Sequence, residues 1–123
     1  MKKLLLATTI FMAMASSAMA VMPTFVSSGL GNILADENGM TLYIFTKDTD
    51  GVSNCYGGCA VKWPPLFAEA DDDVSGDFSL IERKDGKLQW AHNGMPLYLW
   101  INDKAVGDTT GHEVGGVWYV ISE

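Results

Sequence analysis

Asn38-Gly39-Met40-Thr41-Leu42-Tyr43-Ile44-Phe45-Thr46-Lys47-Asp48 returns 55 residues later as Asn93-Gly94-Met95-Pro96-Leu97-Tyr98-Leu99-Trp100-Ile101-Asn102-Asp103. The offset holds beyond the phrase, because Trp63 is matched by Trp118. Recurrence at one fixed offset marks two copies of a structural unit that share a core. Within each phrase, Asn-Gly lies between apolar runs and accepts positive φ, which predicts a hairpin turn at Gly39 and again at Gly94. Alternation along the strand that follows puts Leu42 and Ile44 on one face and Tyr43 and Phe45 on the other. Leu97 and Leu99 oppose Tyr98 and Trp100 in the same way. Both faces are apolar, so these strands are expected to be central and covered on each side.

Outward from the phrases the pattern remains strands and turns. Ile33-Leu34-Ala35-Asp36 precedes the first turn and Lys87-Leu88-Gln89-Trp90-Ala91 the second. Phe78 to Arg83 leads into a Lys84-Asp85-Gly86-Lys87 turn, and Gly116 to Ile121 closes the chain. No 3.6-residue apolar period follows the first 20 residues. The expectation is an all-β fold, a small antiparallel sandwich or barrel built from two sequence repeats with approximate internal two-fold symmetry. Repeat one runs from about 31 to 68, an acidic connector from about 69 to 77, and repeat two from about 78 to 123. Residues 21–31, with Pro23, Gly29 and Gly31, read as a partly mobile lead-in. The connector carries Asp71-Asp72-Asp73 and is expected to be solvated, since adjacent like charges repel.

The N-terminus reads as an export signal: Lys2 and Lys3, an apolar run from Leu4 to Met14, and Ser16-Ser17-Ala18-Met19-Ala20 ahead of a cleavage expected between Ala20 and Val21. A competing reading, an uncleaved anchor over residues 4–26, is opposed by Ser16, Ser17 and Pro23. Residues 21–123 then form a single β domain. Removing the signal leaves six basic against fifteen acidic residues, a formal charge of −9. An acidic surface repels phosphate backbones and anionic headgroups, so neither nucleic acid nor strong anionic-membrane binding is expected. An envelope protein or a small ligand remains as the class of partner. The location is periplasmic or secreted, with no lipobox cysteine beside the cleavage site.

The motif Tyr-x-(Phe/Trp/Tyr)-x-x-Asp occurs as Tyr43-Ile44-Phe45-Thr46-Lys47-Asp48 and as Tyr98-Leu99-Trp100-Ile101-Asn102-Asp103. With Ser53 to Leu66, Ile81 to Gly86, Gly107 to Gly111 and Trp118 to Val120, it makes the chain resemble a bacterial secreted-repeat family of predicted lipoproteins. The resemblance implies an envelope or extracellular location and no reaction. Many relatives are lipidated, and this chain lacks the cysteine that lipidation needs.

Candidate chemistry is sparse. Asp48 and Asp103 follow equivalent strands, and an Asp there accepts backbone N–H bonds and fixes the next turn. Paired carboxylates for a cation or for acid–base work are the functional alternative. Tyr43, Phe45, Tyr98 and Trp100 read first as core and second as the lining of a groove. Trp63 and Trp118 read as core anchors. Cys55 and Cys59, both exported, read as a disulfide; a redox pair or a metal site remain as alternatives. A copper site would recruit Met40, Met95, His92 or His112 beside the thiols. No nucleophile–base pair stands out and no cofactor is implied, so the expectation is an exported binding or structural module rather than an enzyme. The alternative is a redox or copper-handling protein using Cys55 and Cys59.

Overall fold

The computed structural model describes residues 22–123; the expected export signal and the expected cleavage after Ala20 lie outside the described residues. The fold is all-β, in small antiparallel sheets with one short helix. Strands β1 (Thr24–Ser28) and β2 (Gly31–Ala35) form a hairpin. β3 is Tyr43–Phe45, and the single α-helix among the described residues, α1, spans Gly58–Lys62. β4 (Phe67–Ala68), β5 (Phe78–Glu82), β6 (Leu88–His92) and β7 (Met95–Pro96) follow. One 3-10 turn, Val114–Gly116, precedes β8 (Trp118–Val120).

The two copies are interlocked rather than stacked side by side. In copy one, β2 turns back at Gly39 and Leu42 N donates to Leu34 O at 3.0 Å. In copy two, β6 turns back at Gly94 and Leu97 N donates to Trp90 O at 2.9 Å. The last strand of each copy then crosses to the other. β8, from copy two, pairs antiparallel with β3 of copy one, and Leu34 N reaches Ile121 O at 2.9 Å. The matching segment of copy one, residues 63–68, ends in β4 and pairs with β6 of copy two; Trp90 N reaches Leu66 O at 2.9 Å. At the centre Tyr43 and Tyr98 face each other and exchange both backbone hydrogen bonds, at 2.8 and 3.0 Å. Each copy thereby completes the backbone pairing of the other, and each of the two buried clusters draws residues from both copies.

The two apolar faces of the phrase strands sit on separate cores, as the alternation requires. Leu34, Leu42, Trp90 and Leu97 form one buried cluster. Tyr43, Cys55, Trp63, Tyr98 and Trp118 form the other.

Several local expectations change. The lead-in is strand β1, whose antiparallel hairpin with β2 corresponds to that of β5 with β6, shifted by one residue in register, so copy one begins at Thr24. It was illegible because an edge strand with exposed Thr24, Phe25 and Ser27 lacks a buried apolar stripe. The strand expected over 96–100 is a named strand only at Met95–Pro96; beyond it the backbone pairs through single bridges, Tyr98 with both Tyr43 and Pro65, and Leu99 N donates to Pro64 O at 2.8 Å. Asn93 and Gly94 both take positive φ (52° and 83°), whereas in the first turn only Gly39 does, at 80°. There the Asp36 side chain instead accepts the Asn38 and Met40 N–H groups, both at 2.9 Å. In the connector Asp72 is buried, its Oδ2 accepting the Glu69 N–H at 2.8 Å. With Asp72 N donating to Glu69 O at 3.0 Å, this reciprocal turn folds part of the acidic run inward, against the electrostatic expectation of a fully solvated segment.

Candidate functional site

The repeated tyrosines and aspartates meet across the copies. Tyr43 of copy one donates its hydroxyl to Asp103 Oδ2 of copy two at 2.7 Å. Tyr98 of copy two donates to Asp48 Oδ2 of copy one at 2.6 Å. The other oxygen of each carboxylate performs the turn-fixing role expected of it. Asp48 Oδ1 accepts Asn54 N–H at 2.7 Å, and Asp103 Oδ1 accepts Thr110 N–H at 2.9 Å. Spacing within the motif has a direct cause: Tyr starts the strand, and the Asp just past its end opens the loop that returns to the partner copy. Tyr43 and Tyr98 are fully buried, and Asp48 and Asp103 nearly so.

Around these pairs the copies differ. Tyr43 Oη accepts Gly111 N–H at 3.1 Å. Tyr98 Oη lies 2.6 Å from Ser53 Oγ; since the tyrosine proton goes to Asp48, the serine donates. Ser53 Oγ in turn accepts Arg83 Nη1 at 2.9 Å, which also reaches Gln89 Oε1 at 2.7 Å. Arg83 Nη2 donates to Cys55 O at 2.8 Å, and the guanidinium lies 4.3 Å over the Tyr56 ring. Arg83 and Gln89 are buried, and neither was singled out from sequence. The available signal was the two-residue period: Arg83 follows the buried Ile81 by two and so shares its inward face.

Burial raises both phenols well above their ordinary range, and the adjacent carboxylate of Asp103 or Asp48 adds to it. Burial also pushes the Asp48 carboxyl up, opposed by the hydrogen bonds from Tyr98 and Asn54 and by Arg83. The native state therefore keeps the two phenolic protons more tightly than the unfolded chain does. Below about pH 10 both states are protonated and the contribution is fully present. Above it the unfolded chain releases protons the native state retains, so stability falls as pH rises, by about 1.4 kcal/mol per unit for each tyrosine. Tyr43 and Tyr98 are thus expected to ionise only with unfolding, and phenolate absorbance should rise together with loss of near-ultraviolet circular dichroism. Ionisation of all four tyrosines in the folded protein would contradict the buried pairs.

The motif aromatics form one column. Phe45 stacks on Trp118 (centroids 4.2 Å), Trp118 on Trp63 (3.8 Å, planes 3° apart), and Trp63 on Trp100 (4.0 Å). The two-fold exchanges Phe45 with Trp100 and Trp63 with Trp118. Tyr43 meets Trp63 edge-on at 5.3 Å and Tyr98 meets Trp118 edge-on at 5.1 Å. Gly111 sits against this column, where a Cβ would lie 2.8 Å from the Trp63 ring. Each stacked or edge-on pair adds about 0.5–1.5 kcal/mol beyond area burial. Tyr43, Tyr98, Trp63 and Trp118 are buried, and Phe45 and Trp100, at the two ends of the column, are partly buried against them. The anchors Trp63 and Trp118 join the copies rather than closing each one.

Cys55 and Cys59 are joined in a disulfide. Cys55 is buried in the aromatic cluster beside Trp63, so the bridge pins the loop that delivers Ser53 and the Cys55 carbonyl to Arg83. The suggested metal ligands are not gathered around it. His92 and Met95 are opposite each other in the β6–β7 pairing, and His92 packs on the Phe78 ring at 5.0 Å. His112 Nδ1 accepts Val120 N–H at 3.1 Å, and Met40 lies in the first turn, its N–H on Asp36. Among the described residues no group of three or more His, Cys, Asp or Glu side chains is arranged to hold a metal ion. An open depression of about 470 Å³ lies apart from the motif, lined by residues that include Phe67, Glu69 and Lys87. Phe67 is half exposed there, and Lys87 Nζ stands 5.3 Å over its ring.

A family model described as "secreted repeat of unknown function" matches residues 24–67 and again 79–122. The chain belongs to this family. The two matched windows are themselves offset by 55 residues, and the first begins at the start of β1. The Tyr–Asp motif of each window is completed only by the other. Comparisons with curated proteins and with solved structures find no match.

Proposed function

We propose that this secreted-repeat protein is a non-catalytic binding or structural module of the cell envelope, released by cleavage after Ala20 and not lipid-anchored. One observation carries the reading: the repeated tyrosines and aspartates of the motif spend their polar groups inside the molecule. Both phenols and both carboxylates bond to each other and to backbone N–H groups. Groups held in this way set a scaffold and are not free to bind substrate. The depression at Phe67 and Lys87 is the place on this scaffold for an envelope protein or small ligand, since it presents a half-exposed ring beside a cation. The acidic surface argues against nucleic acid and anionic lipid as partners.

A photo-crosslinking residue at Phe67 tests the reading in intact cells, with the same residue at Val106, which is 62% exposed, as control. A discrete adduct from position 67 and none from 106 is the expected result. No adduct from either, or the same adducts from both, would count against a binding face there. The alternative of copper handling through Cys55 and Cys59 requires free thiolates, whereas the two sulfurs are bonded to each other, and redox handling requires that this bridge be reduced and re-formed. Thiol titration before and after reduction, with metal analysis of the purified protein, separates the two. Thiols that appear only on reduction, without copper or zinc, favour the module.

A further inference from the structure

The aromatic column ends differently in its two copies, and the difference is chemical. At one end stands Phe45, which resists one-electron oxidation; at the other stands Trp100, an oxidisable indole that is partly exposed. From Trp100 the stack continues without a gap through Trp63 and Trp118, and each of these touches a tyrosine whose hydroxyl is bonded to a buried carboxylate. We propose that this column is a one-electron relay, carrying an oxidising equivalent from Trp100 inward to Tyr43 and Tyr98.

The oxidant is a high-potential one-electron acceptor arriving from solvent, of the class of oxygen-derived or azide radicals. It takes one electron from Trp100 and leaves an indole radical cation. Normally such a cation is quenched by losing its N–H proton. Trp100 Nε1 is buried and finds no acceptor among the described residues, so the proton stays and the cation remains a strong oxidant. An electron then moves from Trp63 to Trp100, and for the second branch from Trp118 to Trp63. Tyr43 reduces the Trp63 cation, or Tyr98 the Trp118 cation. As its electron leaves, the phenol passes its proton along the existing hydrogen bond to Asp103 Oδ2 or Asp48 Oδ2. The products are a neutral tyrosyl radical and a neutral carboxylic acid. Charge and protons balance, and no net charge is created in the buried site, which would be costly there. The raised proton affinity of the buried Asp48 carboxyl suits it to the acceptor role. A thiol or enediol reductant outside returns the electron by the same column, and the carboxyl returns the proton.

Packing alone would account for stacked rings. It does not require that the two tyrosines touching the stack be the two that hold preformed proton acceptors. The geometry is that of general-base catalysis applied to electron transfer, and a positioned acceptor is worth on the order of 10²-fold in rate.

Pulse radiolysis with azide radical on the full secreted chain, disulfide intact, tests this directly. Indolyl absorbance should form first and decay as phenoxyl absorbance grows at the same rate. The growth should vanish in Tyr43→Phe/Tyr98→Phe and persist in Tyr56→Phe/Tyr119→Phe. In Asp48→Asn/Asp103→Asn, where the phenolic proton has no positioned acceptor, it should slow on the order of 10²-fold. Trp100→Phe, which keeps the stack but removes the oxidisable end, should suppress it in a folded protein. Phenoxyl growth that survives the Tyr43/Tyr98 double variant, or a wild-type indolyl signal that decays with no phenoxyl at all, overturns the proposal.

Discussion

Tyr98→Ala is expected to destabilise the protein by about 4 kcal/mol, within the 3–5 kcal/mol typical of emptying a large aromatic site. Three losses combine. The ring leaves its edge contact with Trp118. Asp48 loses its phenolic donor while remaining buried. Ser53 loses the acceptor of its own proton, which loosens the loop held by Arg83. Tyr43→Ala should cost a similar amount, because Tyr43 packs on Trp63 and supplies Asp103 in the same way. Phe at either position keeps the ring but strands the carboxylate and the donor to the lost hydroxyl, Gly111 N–H at 43 or Ser53 Oγ–H at 98, at about 1–3 kcal/mol. Chemical denaturation of the four variants reads these values. Alanine variants that unfold at the wild-type midpoint would refute the buried assignment.

Gly94→Val should be the most damaging single change in the turns, costing about 3 kcal/mol or more and lowering the yield of folded protein. Two independent penalties apply. The residue holds φ at +83°, where a β-branched side chain is a steric outlier. A Cβ there would also overlap Asp50 Oδ1 and lie 2.8 Å from Asp50 Cγ. The loop after Asp48 packs on this turn, with Gly51 N donating to Gly94 O at 2.7 Å, so relief would pull copy one away from copy two. Gly39→Val meets the corresponding loop at Val106 Cγ2, 2.9 Å away, and should also destabilise. Asp50 and Val106 are both exposed side chains that can turn aside, so what makes Gly94 the costlier site is the Gly51 N–Gly94 O bond that ties its turn to the other copy, and the Gly39 penalty should be smaller. Thermal melts of both variants give the order, and a Gly94→Val protein as stable as wild type would contradict the turn geometry.

Much of this architecture was legible because its cause is local. The Asn-Gly turns, the alternation that puts Leu42 and Tyr43 on opposite faces, and the pairing of Trp63 with Trp118 by offset all follow from spacing. The disulfide followed from the distance between two exported cysteines. The exchange of last strands was not legible. A repeat shows which residues are equivalent, but not whether each pairs within its copy or with the other. For the same reason the bond from Tyr43 to Asp103 could not be told from one to Asp48, which is closer in sequence. Arg83 was overlooked because a lone cation at a strand end is usually solvated; its burial depends on Ser53, Cys55 and Gln89, brought together only by the fold. β1 escaped because an edge strand need not bury a stripe of apolar residues.

The central claim is that the motif is completed between copies, and a pair of double-mutant cycles measures it. Coupling free energies from denaturation of Tyr43→Phe with Asp103→Asn, and of Tyr43→Phe with Asp48→Asn, isolate the two possible pairings. The account predicts about 1–3 kcal/mol of coupling for Tyr43 with Asp103 and a value near zero for Tyr43 with Asp48. Coupling confined to Tyr43 and Asp48, the two residues of one copy, would contradict it.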